Sequence, residues 1–197
     1  MNKLAMLGVL LTAVVASRAN GDPGWRIDAA GGAIVGAGKV KVSEGGDSGQ
    51  FDIVPGGSFA VGGGYGLGNW VDLTTHFQSS FTGFDVIASQ SLDVYSLTAG
   101  GRVYLLPPGR VRPWLASELG WYRADGEVGG LFLPTIHQSD DSFGLNAGGG
   151  VDVNVNRRVS LGVDVRYHDA FDALNGLQFV TTMFNVGIHL GGGDRGL

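Results

Sequence analysis

Residues 151–168, with the sequence VDVNVNRRVSLGVDVRYH, contain two runs of apolar–polar alternation on either side of Asn156-Arg157-Arg158. Successive side chains of a β-strand point to opposite faces, so this pattern predicts a hairpin with one apolar and one polar face. The apolar face is rich in valine, which is typical of a strand that lies against an apolar environment. The polar face combines glycine with Asp164, Arg166 and His168 and has no lysine. That composition predicts a narrow, charged interior rather than a water-exposed surface.

The same alternation occurs in eight segments of the chain, at residues 25–35, 58–67, 71–81, 92–105, 112–123, 143–155, 159–167 and 179–190. The connections alternate in length, with predicted long loops at residues 36–57, 82–91, 125–141 and 169–177 and short turns between the other segments. This order predicts an all-β fold, an eight-stranded antiparallel up-and-down barrel. Each segment is long enough to cross a bilayer at a tilt. The prolines are expected outside the strands or at a strand start.

The short turns also predict the strand register. In three hairpins this register places a glycine opposite a large polar side chain; the predicted pairs are Gly148–Arg166, Gly150–Asp164, Gly66–Asp72, Gly62–His76 and Gly100–Glu118. The lumen of an eight-stranded barrel is narrow, and pairing small residues with large ones is a way to fill it.

The apolar face is predicted to face lipid. Beyond residue 19 the only lysines are Lys39 and Lys41, both in the first predicted loop, whereas soluble surfaces use lysine freely. The opposite charges of the polar face can neutralise each other inside a lumen. The predicted lumen network is Arg26, Asp28, Asp72, His76, Arg102, Glu118, Asp152, Asp164, Arg166, His168 and His189. Aromatic residues near segment ends predict interfacial girdles, at Trp25, Tyr65, Phe81, Tyr95, Trp121, Tyr167 and Phe179.

Residues 1–19 have the pattern of a secretory signal peptide: a positive start with Lys3, an apolar stretch and Ser17-Arg18-Ala19 before the predicted cleavage. Cleavage after Ala16 is the alternative. We therefore predict a signal peptide at 1–19 and a barrel domain at 20–197. The chain has a net charge of −5, and losing Lys3 and Arg18 makes the mature domain more acidic, which argues against nucleic-acid binding. It has no cysteine, so disulfides and thiolate chemistry are excluded.

Three strand–turn–strand stretches, at residues 59–73, 112–122 and 143–167, make the chain similar to the small outer-membrane β-barrel superfamily that includes the OmpA transmembrane domain, OmpX and OmpW. The resemblance covers the whole mature chain. It implies the outer membrane of a Gram-negative-type bacterium, with the N-terminus in the periplasm and four long loops outside. We expect a monomer surrounded by outer-membrane lipid.

No enzymatic activity, metal or cofactor is predicted. The histidines of the polar face are expected to be hydrogen-bonded lumen residues, because no set of ligands converges on a metal. His137-Gln138-Ser139 has the spacing of the histidine and serine in outer-membrane lipid A deacylases, but we place it in a loop and interpret the match as chance. The acidic residues of that loop, Asp125, Glu127 and Asp140-Asp141, are interpreted as solvated rather than as a Ca²⁺ site.

The leading functional hypothesis is a structural or surface-interaction barrel. Its lumen is filled by the charged network, and its long loops contact an extracellular partner. Three alternatives stay open: a narrow pore for small or apolar solutes, a lipid-modifying enzyme that uses His137 and Ser139, and a soluble periplasmic barrel that binds a ligand inside. An outward apolar face would eliminate the soluble barrel.

Overall fold

The computed structural model describes residues 24–37, 39–44, 47–84, 90–130, 133–171, 174 and 177–190. The predicted signal peptide at 1–19 lies outside these residues and stays a prediction. The strands are β1 Gly24–Gly36, β2 Lys39–Glu44, β3 Asp47–Gly66, β4 Val71–Phe84, β5 Gln90–Tyr104, β6 Val111–Gly130, β7 Leu133–Asn154, β8 Val159–Ala170 and β9 Gln178–Leu190. In the described part of the chain, no helix has the length and apolar character needed to cross a membrane.

Strands β1 and β3–β9 form a closed, all-antiparallel barrel of eight strands. From β3 to β9 each strand pairs with the next one along the chain, and β1 closes the barrel between β9 and β3. Strand β2 pairs with the outer part of β3 and lies beyond the closed barrel. The eight-stranded up-and-down fold expected from the alternation is therefore confirmed.

The two ends of the barrel differ in their connections. At one end, which we call the short-turn end, β1 begins, β9 ends, and tight turns occupy residues 67–70, 105–110 and 155–158. Gly68 in the first turn has φ of 144°, a backbone conformation that side chains with a Cβ rarely adopt. In the third turn Asn156 Oδ1 accepts hydrogen bonds from the backbone N–H groups of Arg158 and Val159. The opposite end, where the strands extend farthest, is the long-hairpin end.

The predicted register is confirmed in all three hairpins. Gly148 opposes Arg166 and Gly150 opposes Asp164 in the β7–β8 pair. The β3–β4 and β5–β6 pairs likewise place Gly66 opposite Asp72, Gly62 opposite His76 and Gly100 opposite Glu118. Four of these glycines, Gly62, Gly100, Gly148 and Gly150, cannot be replaced by a larger residue without movement. A Cβ on Gly62 would lie 2.2 Å from the His76 ring, and one on Gly100 would lie 2.1 Å from a backbone oxygen.

The apolar face of the strands points outward. Large apolar side chains such as Trp25, Leu119 and Phe184 are 54–71% exposed on the outer wall, while the charged side chains point inward. A soluble barrel would expose this apolar wall to water, so the outward apolar face argues against the soluble-barrel alternative. The girdle prediction is wrong for Phe179, which is fully buried inside the barrel. Phe179 lies two residues before the inward-facing Thr181 in β9, so its side chain points to the same inner face. The girdle prediction rested on its position near a strand end.

Two predicted long loops are largely strand. Most of residues 36–57 belongs to β2 and the outer part of β3, and all but two residues of 125–141 belong to β6 and β7. The backbone ladder continues past the membrane-facing part of the barrel, where no apolar alternation marks a strand in the sequence. Pro55 and Pro134 consequently lie within strands, contrary to the prediction; Pro55 occupies the register irregularity between Val54 and Gly57, where a missing N–H is tolerated.

Candidate functional site: the barrel lumen

All eleven residues predicted for the lumen network point inward, with exposed fractions between 1% and 9%. The structure brings nine of them together in what we call the charged layer: Arg26, Asp28, Asp72, His76, Arg102, Glu118, Asp152, Asp164 and Arg166. His168 and His189 lie apart from it, one near each end of the barrel. The alternation of β-strands placed every one of these side chains on the inner face.

Glu118 is the centre of the charged layer. Its carboxylate accepts hydrogen bonds from Thr74 and Thr98 at 2.8 and 2.7 Å, from Arg166 at 3.0 Å and from Asn146 at 3.2 Å. The side chain is 1% exposed. A buried carboxylate is stable only if it is paired and hydrogen-bonded, and Glu118 meets both conditions.

His76 bridges two carboxylates across the lumen. Its Nδ1 lies 2.8 Å from Glu118 Oε1, and its Nε2 lies 3.1 Å from Asp28 Oδ2. Ionised carboxylates only accept hydrogen bonds, so both ring nitrogens must donate to satisfy this geometry. His76 is then an imidazolium and contributes a positive charge to a layer that is otherwise rich in acids.

A second set of ion pairs lies closer to the short-turn end. Arg26 contacts Asp152 at 2.5 Å and Asp28 at 3.1 Å. Arg102 lies 3.5 Å from Asp152 and 3.9 Å from Asp28, so the two arginines share two carboxylates. Tyr104 links Asp72 to this set: its hydroxyl donates to Asp72 at 2.9 Å and accepts from Arg26 at 3.4 Å.

Aromatic rings in the lumen cover the arginines. The guanidinium of Arg102 lies 4.1 Å from the centre of the Trp114 ring, and that of Arg112 lies 3.5 Å from the centre of the Tyr104 ring. Cation–π contacts of this kind are strengthened by desolvation. The sequence reasoning assigned none of these aromatics and threonines to the network, although Tyr104, Thr74 and Thr98 stood on the polar face. The position of a residue in the alternation tells whether its side chain points inward. It does not tell which inward side chains from different strands come into contact.

The long-hairpin half of the lumen contains a cluster of buried apolar side chains. Eight buried side chains form what we call the apolar layer: Ile34, Leu92, Val94, Tyr122, Ala124, Ala170, Leu177 and Phe179. His168 belongs to this layer, stacked on Phe179 with ring centres 4.4 Å apart and hydrogen-bonded to Tyr122 at 3.1 Å and Thr181 at 3.1 Å. The sequence analysis did not predict it, because its residues come from different strands, and the alternation does not say which inward side chains meet.

One cavity lies between the charged side chains of the lumen. The cavity lined by Arg102, Asp164, Arg166, Met183 and Asn185, among others, leaves only about 20 Å³ to the centre of a water molecule. That volume suits about one water. Small-against-large packing of glycines and charged side chains brings these side chains close to the opposite backbone, as at Gly100 and Gly148.

The His137–Ser139 pair lies on strand β7, so the prediction that it lies in a loop is wrong. In the register of this hairpin Ser139 opposes Asp125, and a hydrogen bond from Ser139, with a contribution from Arg123, holds the pKa of the Asp125 carboxyl below its ordinary value. The outward-facing Phe143 is 71% exposed. Ser139 lies four residues from it toward the long-hairpin end, a distance of about 13 Å along a strand. Ser139 is thus beyond the apolar belt, among polar side chains.

No group of three or more His, Asp or Glu side chains that could hold a metal ion occurs in the described ranges. The acidic positions Asp140 and Asp141 belong to β7 and not to a loop.

The closed barrel, apolar outside and charged inside, is the arrangement of integral membrane β-barrels. The chain belongs to the outer membrane protein beta-barrel domain family, whose profile matches residues 4–190. This membership assigns the protein to the outer membrane.

Three solved structures illustrate the likeness. Neisserial surface protein A is 20% identical, with a TM-score of 0.59 over 84% of this chain and 96% of that one. Ail of Yersinia pestis is 16% identical, with a TM-score of 0.54 over 86% and 99%. OprG of Pseudomonas aeruginosa is 10% identical, with a TM-score of 0.60 over 87% and 98%. No curated protein matches the chain. At these identities the neighbours establish the fold and not a function.

Proposed function

We propose that this protein is a non-enzymatic outer-membrane barrel with a closed lumen that acts through its outer surface. The observation that carries the proposal is the network of buried, mutually hydrogen-bonded charged side chains in the lumen. The charged layer spans the middle of the barrel. Glu118 contacts five side chains at 3.2 Å or less and so ties β4, β5, β6, β7 and β8 together across it; these are Thr74, His76, Thr98, Asn146 and Arg166.

The apolar layer gives the lumen a second seal. It lies between the charged layer and the long-hairpin end, and its aromatic members Tyr122 and Phe179 are fully buried. An apolar constriction excludes water and ions by dewetting even where it is not fully packed. A solute would therefore have to displace both an ion-pair network and an apolar plug, which argues against the narrow-pore alternative.

The long-hairpin end supplies the surface for interaction. Strands β6 and β7 contain 20 and 22 residues, whereas β8 contains 12. The ten residues from Trp121 to Gly130 correspond to about 30 Å of strand beyond the apolar belt. We propose that this end faces outside and the short-turn end faces the periplasm, which leaves the hairpin tips accessible to partners.

The charge at the long-hairpin end predicts the chemistry of the partner. The segments 37–54, 82–93, 123–141 and 169–178 contain eleven acidic and three basic residues, a formal charge of −8. Ail, one of the structural neighbours, has been crystallised with the heparin analogue sucrose octasulfate. An acidic surface would repel such a sulfated ligand, so we propose a basic partner surface for the present protein.

Single-channel recording tests the closed lumen. The mature protein is refolded into a planar bilayer, and insertion is verified by heat-modifiable migration on a gel. We expect no steady current from the wild type. A matched variant, Arg102→Ser/Arg166→Ser, removes two large side chains that line the cavity and should conduct. A reproducible wild-type current would overturn the proposal in favour of the pore.

A binding assay tests the partner chemistry. Protein in nanodiscs is titrated with fluorescent poly-lysine and, separately, with heparin at low salt. We expect poly-lysine to bind and heparin not to bind, and the variant Asp125→Asn/Asp140→Asn/Asp141→Asn to weaken poly-lysine binding several-fold. Preferential heparin binding would contradict the proposed basic partner while leaving the closed lumen intact.

A further inference from the structure

The turns at the short-turn end of the barrel are rich in exposed arginine. The turns at 67–70, 105–110 and 155–158 contain Arg110, Arg157 and Arg158 and no acidic residue. All three arginines are exposed. By contrast Arg112, two residues from Arg110, is buried, stacks on Tyr104 and donates to Asn69 O at 2.6 Å. The fold therefore uses one arginine of this end internally and presents three at the surface.

The backbone fixes these arginines in one arc of the rim. The carbonyl oxygen of Arg110 accepts from Asn154 N at 2.8 Å, and that of Arg158 accepts from His189 N at 2.7 Å. These bonds connect the starts of β6 and β8 to the ends of β7 and β9. The guanidinium groups are consequently carried by neighbouring, well-anchored turns, which concentrates positive charge along a single edge.

The same arc borders the outer apolar belt. Leu105, Leu106, Val111 and Val155 are 49–54% exposed next to the arginines. Long cationic side chains at such a boundary keep their aliphatic stems on apolar surface and their charged heads at the level of the lipid headgroups. A binding site for a soluble anion would need no apolar border, whereas a site for a lipid needs both.

We propose that this arc, built on Arg110 and Arg158 with Leu105 and Leu106 below them, binds the phosphate groups of anionic phospholipids in the leaflet at the short-turn end. A guanidinium matches a phosphate in charge and in hydrogen-bond geometry, and the apolar belt continues into the acyl chains of the same lipid. In the orientation proposed above, this leaflet is the periplasmic one. The binding does not depend on whether the lumen conducts.

Lipid enrichment tests this proposal. The protein is reconstituted into nanodiscs of phosphatidylcholine and phosphatidylglycerol in a 3:1 ratio, and the lipids that stay bound after release from the disc are counted by native mass spectrometry. Each basic residue near an anionic surface favours binding about fivefold. We expect a several-fold enrichment of phosphatidylglycerol for the wild type and a markedly smaller one for Arg110→Gln/Arg158→Gln, which keeps Arg157.

The matched control is Arg123→Gln, which removes an exposed arginine from the opposite end and should leave the enrichment unchanged. Arg110→Lys/Arg158→Lys keeps the charge and should retain most of it, which separates lipid binding from a loss of folding. Four outcomes would overturn the proposal: no enrichment for the wild type, the same enrichment in the glutamine variant, an equal loss in Arg123→Gln, or displacement of the lipid by millimolar inorganic phosphate, which would indicate a soluble-anion site.

Discussion

The charged layer and the apolar layer fill the same lumen by different means. In the charged layer Glu118 and its donors come from five strands, and each contact depends on geometry within a few tenths of an ångström. In the apolar layer Tyr122, His168 and Phe179 meet through ring contacts that tolerate more displacement. The same lumen therefore holds two kinds of side-chain contact, ion pairs in the charged layer and ring contacts in the apolar layer.

The largest expected effect is at the centre of the charged layer. Glu118→Ala leaves Arg166 and His76 without their shared acceptor, and breaking a buried ion pair in this way costs about 3–5 kcal/mol. Urea titration of tryptophan fluorescence in phospholipid vesicles measures this free energy of unfolding. Glu118→Gln keeps the shape and one acceptor oxygen and should lose less. A loss below about 1 kcal/mol for the alanine variant would contradict the central role of Glu118.

A smaller loss is expected in the apolar layer. Phe179→Ala removes a fully buried ring and its stacking on His168, at a cost of about 3 kcal/mol. The matched control is Phe184→Ala on the same strand, because Phe184 is 71% exposed on the outer face and lipid chains can fill the space it leaves. Equal losses for the two variants, measured by the same titration, would mean that the apolar layer adds no packing of its own.

Arg102→Lys tests whether the charged layer needs guanidinium geometry as well as charge. Lysine keeps the charge but loses much of the stacking on Trp114 and the two-carboxylate contact, and we expect a loss of about 1–2 kcal/mol. Arg123→Lys is the comparison, since its ion pair with Asp125 is about 40% exposed; exposed pairs contribute little. Indistinguishable midpoints for the two variants would show that charge alone suffices.

Two tyrosine hydroxyls allow the layers to be compared through the same substitution. Tyr104→Phe deletes a hydrogen bond to the Asp72 carboxylate, whereas Tyr122→Phe deletes a hydrogen bond to the neutral imidazole of His168. Hydrogen bonds to charged groups contribute about 1.5–3 kcal/mol and neutral ones about 1 kcal/mol. Chemical denaturation of both variants should therefore rank Tyr104→Phe as the more damaging. The reverse order would contradict the distinction between the layers.

The smallest effect is expected for the coupling between the layers. Glu118 and Phe179 share no hydrogen bond or ring contact among the described residues, so the effects of Glu118→Gln and Phe179→Ala should add to within about 0.5 kcal/mol. A double-mutant cycle measures this term. A larger coupling would mean that the two layers act as one unit.

Sequence reasoning predicted the barrel well and its contacts poorly. The period-2 alternation and the short turns were enough to predict eight strands, the glycine–charge register and the inward direction of residues such as Glu118 and Arg166. The hairpins beyond the belt were missed because their ladders are formed by backbone groups and need no apolar pattern. The girdle prediction failed for Phe179 because it relied on the position near a strand end, whereas the alternation in β9 directs this side chain inward.

The sequence by itself determined which side chains lie inside and which lie outside, because a strand leaves each residue only two directions. It also determined the charge of each connection, acidic at one end and basic at the other. Only the tertiary structure decided that Glu118 is the centre, that His76 bridges Asp28 and Glu118, and that eight scattered apolar residues form one layer. Those contacts join strands distant in sequence, and they depend on the stagger of a closed barrel, which no local pattern encodes.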